Sequence, residues 1–119
     1  MYLSKANIQT LRHKVEQENG FQIALVPMQS NTFLNVQIAV EVLYKNLSEA
    51  GYSVLVDDRD QKPNNKFEVI EFLNIRHRVV ISSRSISAGV YEYKDLLTDY
   101  FEKIPEKEMH TFLSKRLSG

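Results

Sequence analysis

The sequence predicts an α/β fold: a mainly parallel sheet with helices on its faces, made mixed by a closing hairpin. Three observations point there. Short runs of β-forming apolar residues recur at residues 21–26, 52–56 and 78–82. Between them lie longer stretches whose apolar residues return every three or four positions, as on one face of a helix. Strands that alternate with helices imply right-handed βαβ crossovers. Towards the end, residues 90–94 (VYEYK) alternate as a half-solvated strand does.

Each element follows from its own residues. Residues 1–20 are polar, with Ile8, Leu11 and Val15 at helical spacing and Gly20 behind them, so a short amphipathic helix is expected there. A helix of that size is marginal alone and must dock or fray. Residues 21–26 (FQIALV), closed by Pro27, predict a buried strand. The loop Met28-Gln29-Ser30-Asn31 offers helix caps. Over residues 32–50, Val36, Ala39, Val40, Leu43, Leu47 and Ala50 share one stripe, and Gly51 stands where a left-handed cap is expected.

A second strand at residues 52–56 ends in Asp57-Asp58-Arg59. Residues 60–65 (DQKPNN) read as a turn, because Pro63 fixes φ and asparagines tolerate left-handed backbone. Residues 66–73 form a second amphipathic helix with Phe67, Ile70 and Leu73 on its apolar side. Val79, Val80 and Ile81 centre the third strand, residues 83–89 read as loop, and residues 100–104 pair with 90–94 through a turn near Thr98-Asp99. Pro105 opens a final helix, a favoured first-turn position, with Met109, Phe112, Leu113 and Leu117 on one face.

A chain of 119 residues fits one domain, and 43% hydrophobic residues suffice for a core. The boundaries expected are an N-terminal helical extension or linker at 1–20 and a folded domain at 21–119. No apolar run approaches the ~20 residues of a membrane span, and no basic-then-apolar leader opens the chain. Without cysteine, disulfides, thiolate zinc sites and cysteine nucleophiles are excluded. His13, His77 and His110 are scattered, so no metal site is expected. There is no Gly-x-Ser-x-Gly elbow and no P-loop. The first strand runs into Pro27 and Met28, not into the glycine-rich turn that a dinucleotide needs. No cofactor and no catalytic residue is expected, and a small flavodoxin-like enzyme ranks last among the readings. Asp57, Asp58 and Asp60 read as loop and helix caps that pair with Arg59, ahead of a cation site.

Charge narrows the function differently. Fifteen basic residues balance fifteen acidic ones, whereas nucleic-acid-binding domains usually carry basic excess. The excess is local: Arg59, Lys62, Lys66, Arg76, Arg78 and Arg84 face only Asp60, Glu68 and Glu71 between positions 59 and 84. Open α/β sheets bind ligands beyond the carboxyl ends of their strands. Gln29 and Asn31, Asp58 and Arg59, and Ser83 and Arg84 all fall on that edge. Their guanidinium, amide and hydroxyl groups suit the phosphates and base edges of unpaired nucleotides.

The residues Val26-Pro27-Met28, Leu43-Tyr44, Gly51 to Arg59 (GYSVLVDDR) and Pro63-Asn64-Asn65-Lys66-Phe67 occur in order. Glu71, Asn74-Ile75, Val79-Val80-Ile81 and Glu92-Tyr93-Lys94 follow. This arrangement resembles the C-terminal anticodon-binding domain of class II aminoacyl-tRNA synthetases, and within it the bacterial-type prolyl-tRNA synthetase. The Asp-Asp-Arg turn followed by Pro-x-x-Lys-Phe is its most specific part.

The resemblance implies a three-layer domain with a mixed sheet of about five strands flanked by helices. It implies a cytoplasmic role in protein biosynthesis: binding the anticodon loop of a tRNA, the proline tRNA. The partner would be a synthetase catalytic domain in a longer ligase, with no activity from this chain alone. Arg59 and Lys66 are nominated as base readers, Asp58 and Glu71 as orienting or base-reading carboxylates. Lys62, Gln29 and Arg84 complete the RNA-binding set. Arginine or lysine donates to guanine O6 and N7, and carboxylates accept from its N1 and N2 donors. Proline anticodons contain adjacent guanines. The family usually has glycine near Asn64-Asn65, Asn74 and Asp99, where asparagine and aspartate can still take positive φ. Asp95-Leu96-Leu97 stand where the family tends to carry arginine, which leaves that hairpin without those phosphate contacts. The competing reading is a diverged domain that serves as a protein-interaction or accessory subunit, a homodimer included, without tRNA binding.

Overall fold

The computed structural model describes residues 1–17, 20–29 and 32–118. Five strands form one sheet: β1 (Ile23–Pro27), β2 (Val54–Val56), β3 (His77–Ile81), β4 (Val90–Asp95) and β5 (Tyr100–Pro105). Their order is β2-β1-β3-β4-β5. The first three are parallel, with Ile23 opposite Val54 and His77, and β4 and β5 add antiparallel. The mixed sheet is therefore the expected one, and the parallel strands all end on one rim.

Helices cover both faces. On one face, α2 (Leu34–Glu49) and α5 (Met109–Ser118) bury Val36, Val40, Leu43, Leu47, Met109 and Leu113 against inward residues of all five strands. Gly51 adopts φ 96° behind α2, where its N–H donates to Ser48 O, which ends that helix as its residue type requires. On the other face, α1 (Ile8–Gln17) and α3 (Pro63–Phe72) cover the first three strands. Ile70 and Ile75 pack there on Ala24, Val26, Leu55 and Val80, with Leu11 and Phe67 alongside. The side chain of Ile8 lies outside the described residues.

The N-terminal residues belong to the same body. Tyr2 bridges to Val56, Leu3 joins the second core cluster, and Asp58 accepts hydrogen bonds from the Ser4 N–H and hydroxyl. Three local expectations are corrected. Residues 60–65 are not all turn: α3 already begins at Pro63, whose missing N–H is one a first helical turn leaves free anyway. Residues 83–89 are not all loop: Ser83–Ser87 form α4, held by a capping box in which Ser82 and Ser85 bond each other's backbone N–H. Nor does Pro105 open the final helix: it closes β5, and a 3-10 turn at Glu106–Glu108 leads into α5, which starts at Met109. Asn74 (φ 57°) and Asp99 (φ 61°) take the left-handed turns expected of them.

Candidate nucleic-acid interface

Two polar regions stand out, and α3 links them. The first is the rim where β1, β2 and β3 end. Gln29 is exposed there in left-handed backbone, φ 56°, and Lys62 is the exposed N-cap of α3. Arg84 projects from α4 at the end of β3 and is exposed. The Arg59 guanidinium is held by Asp57, with Nε and Nη2 donating over 2.8 and 2.9 Å, and this raises its affinity for its proton. Asp58 is half-buried, its two oxygens taken up by Ser4. Of the rim residues nominated from sequence, Asn31 lies outside the described residues.

Lys66 corrects the expectation that it stands beside Arg59 as an open base donor. It is 3% exposed, and its ammonium donates to Pro27 O at 2.9 Å and Asp57 O at 3.0 Å. The physical reason is its place on α3, one turn before the fully buried Ile70, which aims it at the sheet. There it ties the carboxyl ends of β1 and β2 together. Burial lowers its pKa, an effect that the Asp57 carboxylate opposes.

The second region is the sheet face that α1 and α3 leave open. Strand alternation places Arg78 and Val80 of β3, Glu92 and Lys94 of β4, and Phe101 and Lys103 of β5 on that face. Residues of α3 spaced along one side, Phe67 and Glu71 among them, border it. The Arg78 guanidinium sits over the Phe67 ring at 4.0 Å from its centroid. Burial pulls the Arg78 pKa down, and the carboxylates of Glu71 and Glu92 oppose that pull. Among the described residues, Arg78 Nε is the one buried side-chain polar atom without a hydrogen-bond partner. Buried donors are rarely left so, because each costs free energy. A cleft of about 490 Å³ lies further along the same face, lined by Glu71, Asn74, Arg76, Lys94, Leu96 and Asp99, and Arg78 does not line it.

Glu71 therefore belongs to this second region, while Gln29, Asp58, Arg59, Lys62 and Arg84 belong to the rim. The helix between Lys62 and Glu71 separates the two by about 13 Å, at 1.5 Å per residue. In the sequence, Arg78 is only one of several charges in the local basic excess. The signal that finds it is register: Arg78 lies opposite Lys94, which lies opposite Phe101, so three polar or aromatic side chains cross the sheet in one row.

Asp95, at the departure from the family pattern, is 0% exposed and anchors the far rim. Arg76 donates to both its oxygens at 2.9 Å, Arg116 to one at 2.8 Å, and the Leu97 N–H at 3.0 Å. The Arg76 hydrogen bonds, helped by Leu97 and Arg116, hold its pKa far below the usual carboxylate range. Tyr93 joins that cluster through His77 Nδ1 at 2.7 Å and Arg116 Nε at 3.3 Å. No group of three or more His, Cys, Asp or Glu side chains is gathered among the described residues in a way that would hold a metal. No described helix is long and apolar enough to cross a membrane.

Comparison with known proteins gives this geometry its context. Residues 22–116 match the family described as the anticodon binding domain. Two solved structures of prolyl-tRNA synthetase from Cryptosporidium parvum superpose with a TM-score of 0.76, at 20% identity over 83% of this chain. One is complexed with halofuginone and AMPPNP, the other with L-proline and AMP. The chain covers 21% and 22% of those two synthetases, and the likeness is one of fold. The family match spans most of the sequence, so the chain belongs to the anticodon-binding domain family.

Proposed function

We propose that this anticodon-binding domain reads the anticodon loop of a tRNA with adjacent guanines, the proline tRNA, as the C-terminal module of a prolyl-tRNA synthetase. The observation that carries the reading is the half-buried Arg78 guanidinium, stacked on Phe67 with its buried Nε unpaired, on the sheet face that Glu71 of α3 and Glu92 of β4 share. A guanine matches that arrangement. Its O6 and N7 accept from a guanidinium fork, and its N1 and N2 hydrogens donate to a carboxylate. Stacking on Phe67 holds the fork in place before the base arrives, so little ordering remains to be done on binding.

The rim plays a different part in this reading. Arg59, Lys62, Gln29 and Arg84 contact phosphates and sugars of the loop, which sets register without reading sequence. Asp58 and Lys66 act beneath it: Asp58 fixes the N-terminal segment, and Lys66 fixes the two strand ends. The ligase chemistry resides in a catalytic domain elsewhere in the longer protein, and the domain works in the cytoplasm.

Binding of a stem-loop RNA with two loop guanines, compared with the same stem-loop carrying adenines there, tests the reading. The chain binds the guanine loop more tightly at moderate fixed salt, and Arg78→Ala abolishes the preference. Equal binding of both loops would contradict it.

A second reading rests on one observation. Leu34, Ile38 and Val42 form an exposed apolar stripe on α2, on the opposite face from Arg78. A protein-facing role for that stripe, in an accessory subunit or a homodimer, is favoured if sedimentation gives a tight dimer and RNA affinity is absent.

A further inference from the structure

The open sheet face carries more than the guanine-reading pair. Phe101 is 52% exposed, although its neighbours in the same row, Lys94 and Arg78, are each half-buried. It lies two strands from Arg78, about 10 Å across the sheet, with its ring on the face that holds no helix over β4 and β5. Lys103 is exposed two residues further along β5, and Glu92 lies opposite it on β4. An exposed phenylalanine in a sheet row with an arginine and a lysine is poorly explained by packing. Its ring contributes nothing to either core cluster.

We propose that Phe101 is a stacking platform for an unpaired nucleotide next to the guanine held at Arg78, with Lys103 meeting the adjoining phosphate. This rests on the reading of Arg78 given above. An exposed ring on an open sheet face with cations within reach favours RNA as the occupant. Single-stranded RNA is bound on open sheets by exposed aromatic rings that stack bases and by cations that take phosphates. Lys94, directly opposite the ring, is paired with Asp99 at 2.9 Å, so the cations of this face that can meet a nucleotide backbone are Lys103, two residues along β5, and Arg78, two strands away. A protein partner would gain little from one exposed ring set between these two cations. The spacing between Arg78 and Phe101 lets neighbouring nucleotides splay onto the two positions. Phe101 has no hydrogen-bonding group, so it tolerates any base and sets affinity, while Arg78 sets identity.

The chain contains no tryptophan, so Phe101→Trp places a single indole reporter on the platform. Binding of the guanine stem-loop to the full chain is measured by gel mobility for wild type, Phe101→Ala, Phe101→Leu, Phe101→Tyr and Phe101→Trp, with indole fluorescence followed in the last. The expected result is about tenfold weaker binding for Phe101→Ala and Phe101→Leu. Phe101→Tyr and Phe101→Trp bind as wild type does, and the indole is quenched. Guanine preference persists in all four. Equal affinities with unquenched fluorescence would overturn the platform while leaving the Arg78 reading intact. Absence of guanine-dependent binding in wild type would overturn the Arg78 reading, and the platform with it. Loss of a wild-type dimer in Phe101→Ala, without any change in RNA affinity, would assign the face to a second copy and overturn the proposal. Circular dichroism confirms that each variant is folded, as expected for a half-exposed position.

Discussion

The Arg78 guanidinium lies 4.0 Å from the centre of the Phe67 ring, so a strand and a helix together fix the orientation of one cation on an otherwise open face. Two carboxylates border it, and its Nε has no partner. Arginine suits this position because its planar fork stacks and donates at once, which a lysine ammonium does not do. Arg78→Lys therefore keeps the charge and loses the reading. Its guanine preference falls by about 1–3 kcal/mol, the value of a bidentate base contact, while binding of a loop without guanines changes little. Competition between the two stem-loops measures it.

Lys62 gives the contrasting case. It is exposed at the start of α3 with no carboxylate hydrogen-bonded to it in the described structure. Lys62→Ala weakens guanine and adenine loops alike and reduces the salt dependence of binding by about one counterion. A titration series in potassium chloride separates this from the behaviour of Arg78→Lys.

Lys66→Met affects stability and not recognition. The substitution leaves Pro27 O and Asp57 O without the donor that joins β1 to β2, at a cost of about 2 kcal/mol. Urea denaturation shows the loss. Guanine preference, measured where the variant is still folded, stays at the wild-type value.

The buried polar cluster sets the pH response. His77 is 4% exposed and bonded to Tyr93, and burial lowers its pKa, with Arg76 and Arg116 adding to the effect and Asp95 opposing it. The folded chain thus prefers the neutral ring, whereas the unfolded chain binds its proton near pH 6.5. The stability that His77 confers is complete above that pH and declines as pH falls below it. His77→Gln flattens the urea midpoint between pH 7 and pH 5. Asp95, whose pKa is lowered, contributes above the ordinary carboxylate range and loses its contribution only in stronger acid. Asp95→Asn removes both arginine pairs at a fully buried carboxylate and costs about 3 kcal/mol at neutral pH, the low end for a buried pair because the two arginines are partly exposed.

The strands and long helices were legible because burial writes itself as periodicity. The stripe from Val36 to Leu47 and the run Val79-Val80-Ile81 are cases in point, both buried as expected. Gly51 marked a helix end, whereas Pro63, read with the asparagines after it as a turn, is in fact the first residue of α3. The serine-rich α4 was missed because five residues carry no apolar period, and its capping box was the signal available. Lys66 was misjudged because a cation near a helix start is usually solvated, yet its spacing of four from Ile70 already aimed it inward. Arg78 was hidden by its strand. Its importance depends on which face a helix covers, and that is decided by how α3 crosses the sheet rather than by any local pattern.

The central claim is that Arg78 reads a guanine. The most direct measurement replaces the loop guanines with 7-deazaguanine, which lacks only the N7 acceptor, and compares wild type with Arg78→Ala. Wild type should lose affinity for the modified loop by about tenfold, within the range of a bidentate arginine contact, and Arg78→Ala should bind both loops equally. An equal loss in both proteins would place the contact to N7 on another residue and contradict the claim.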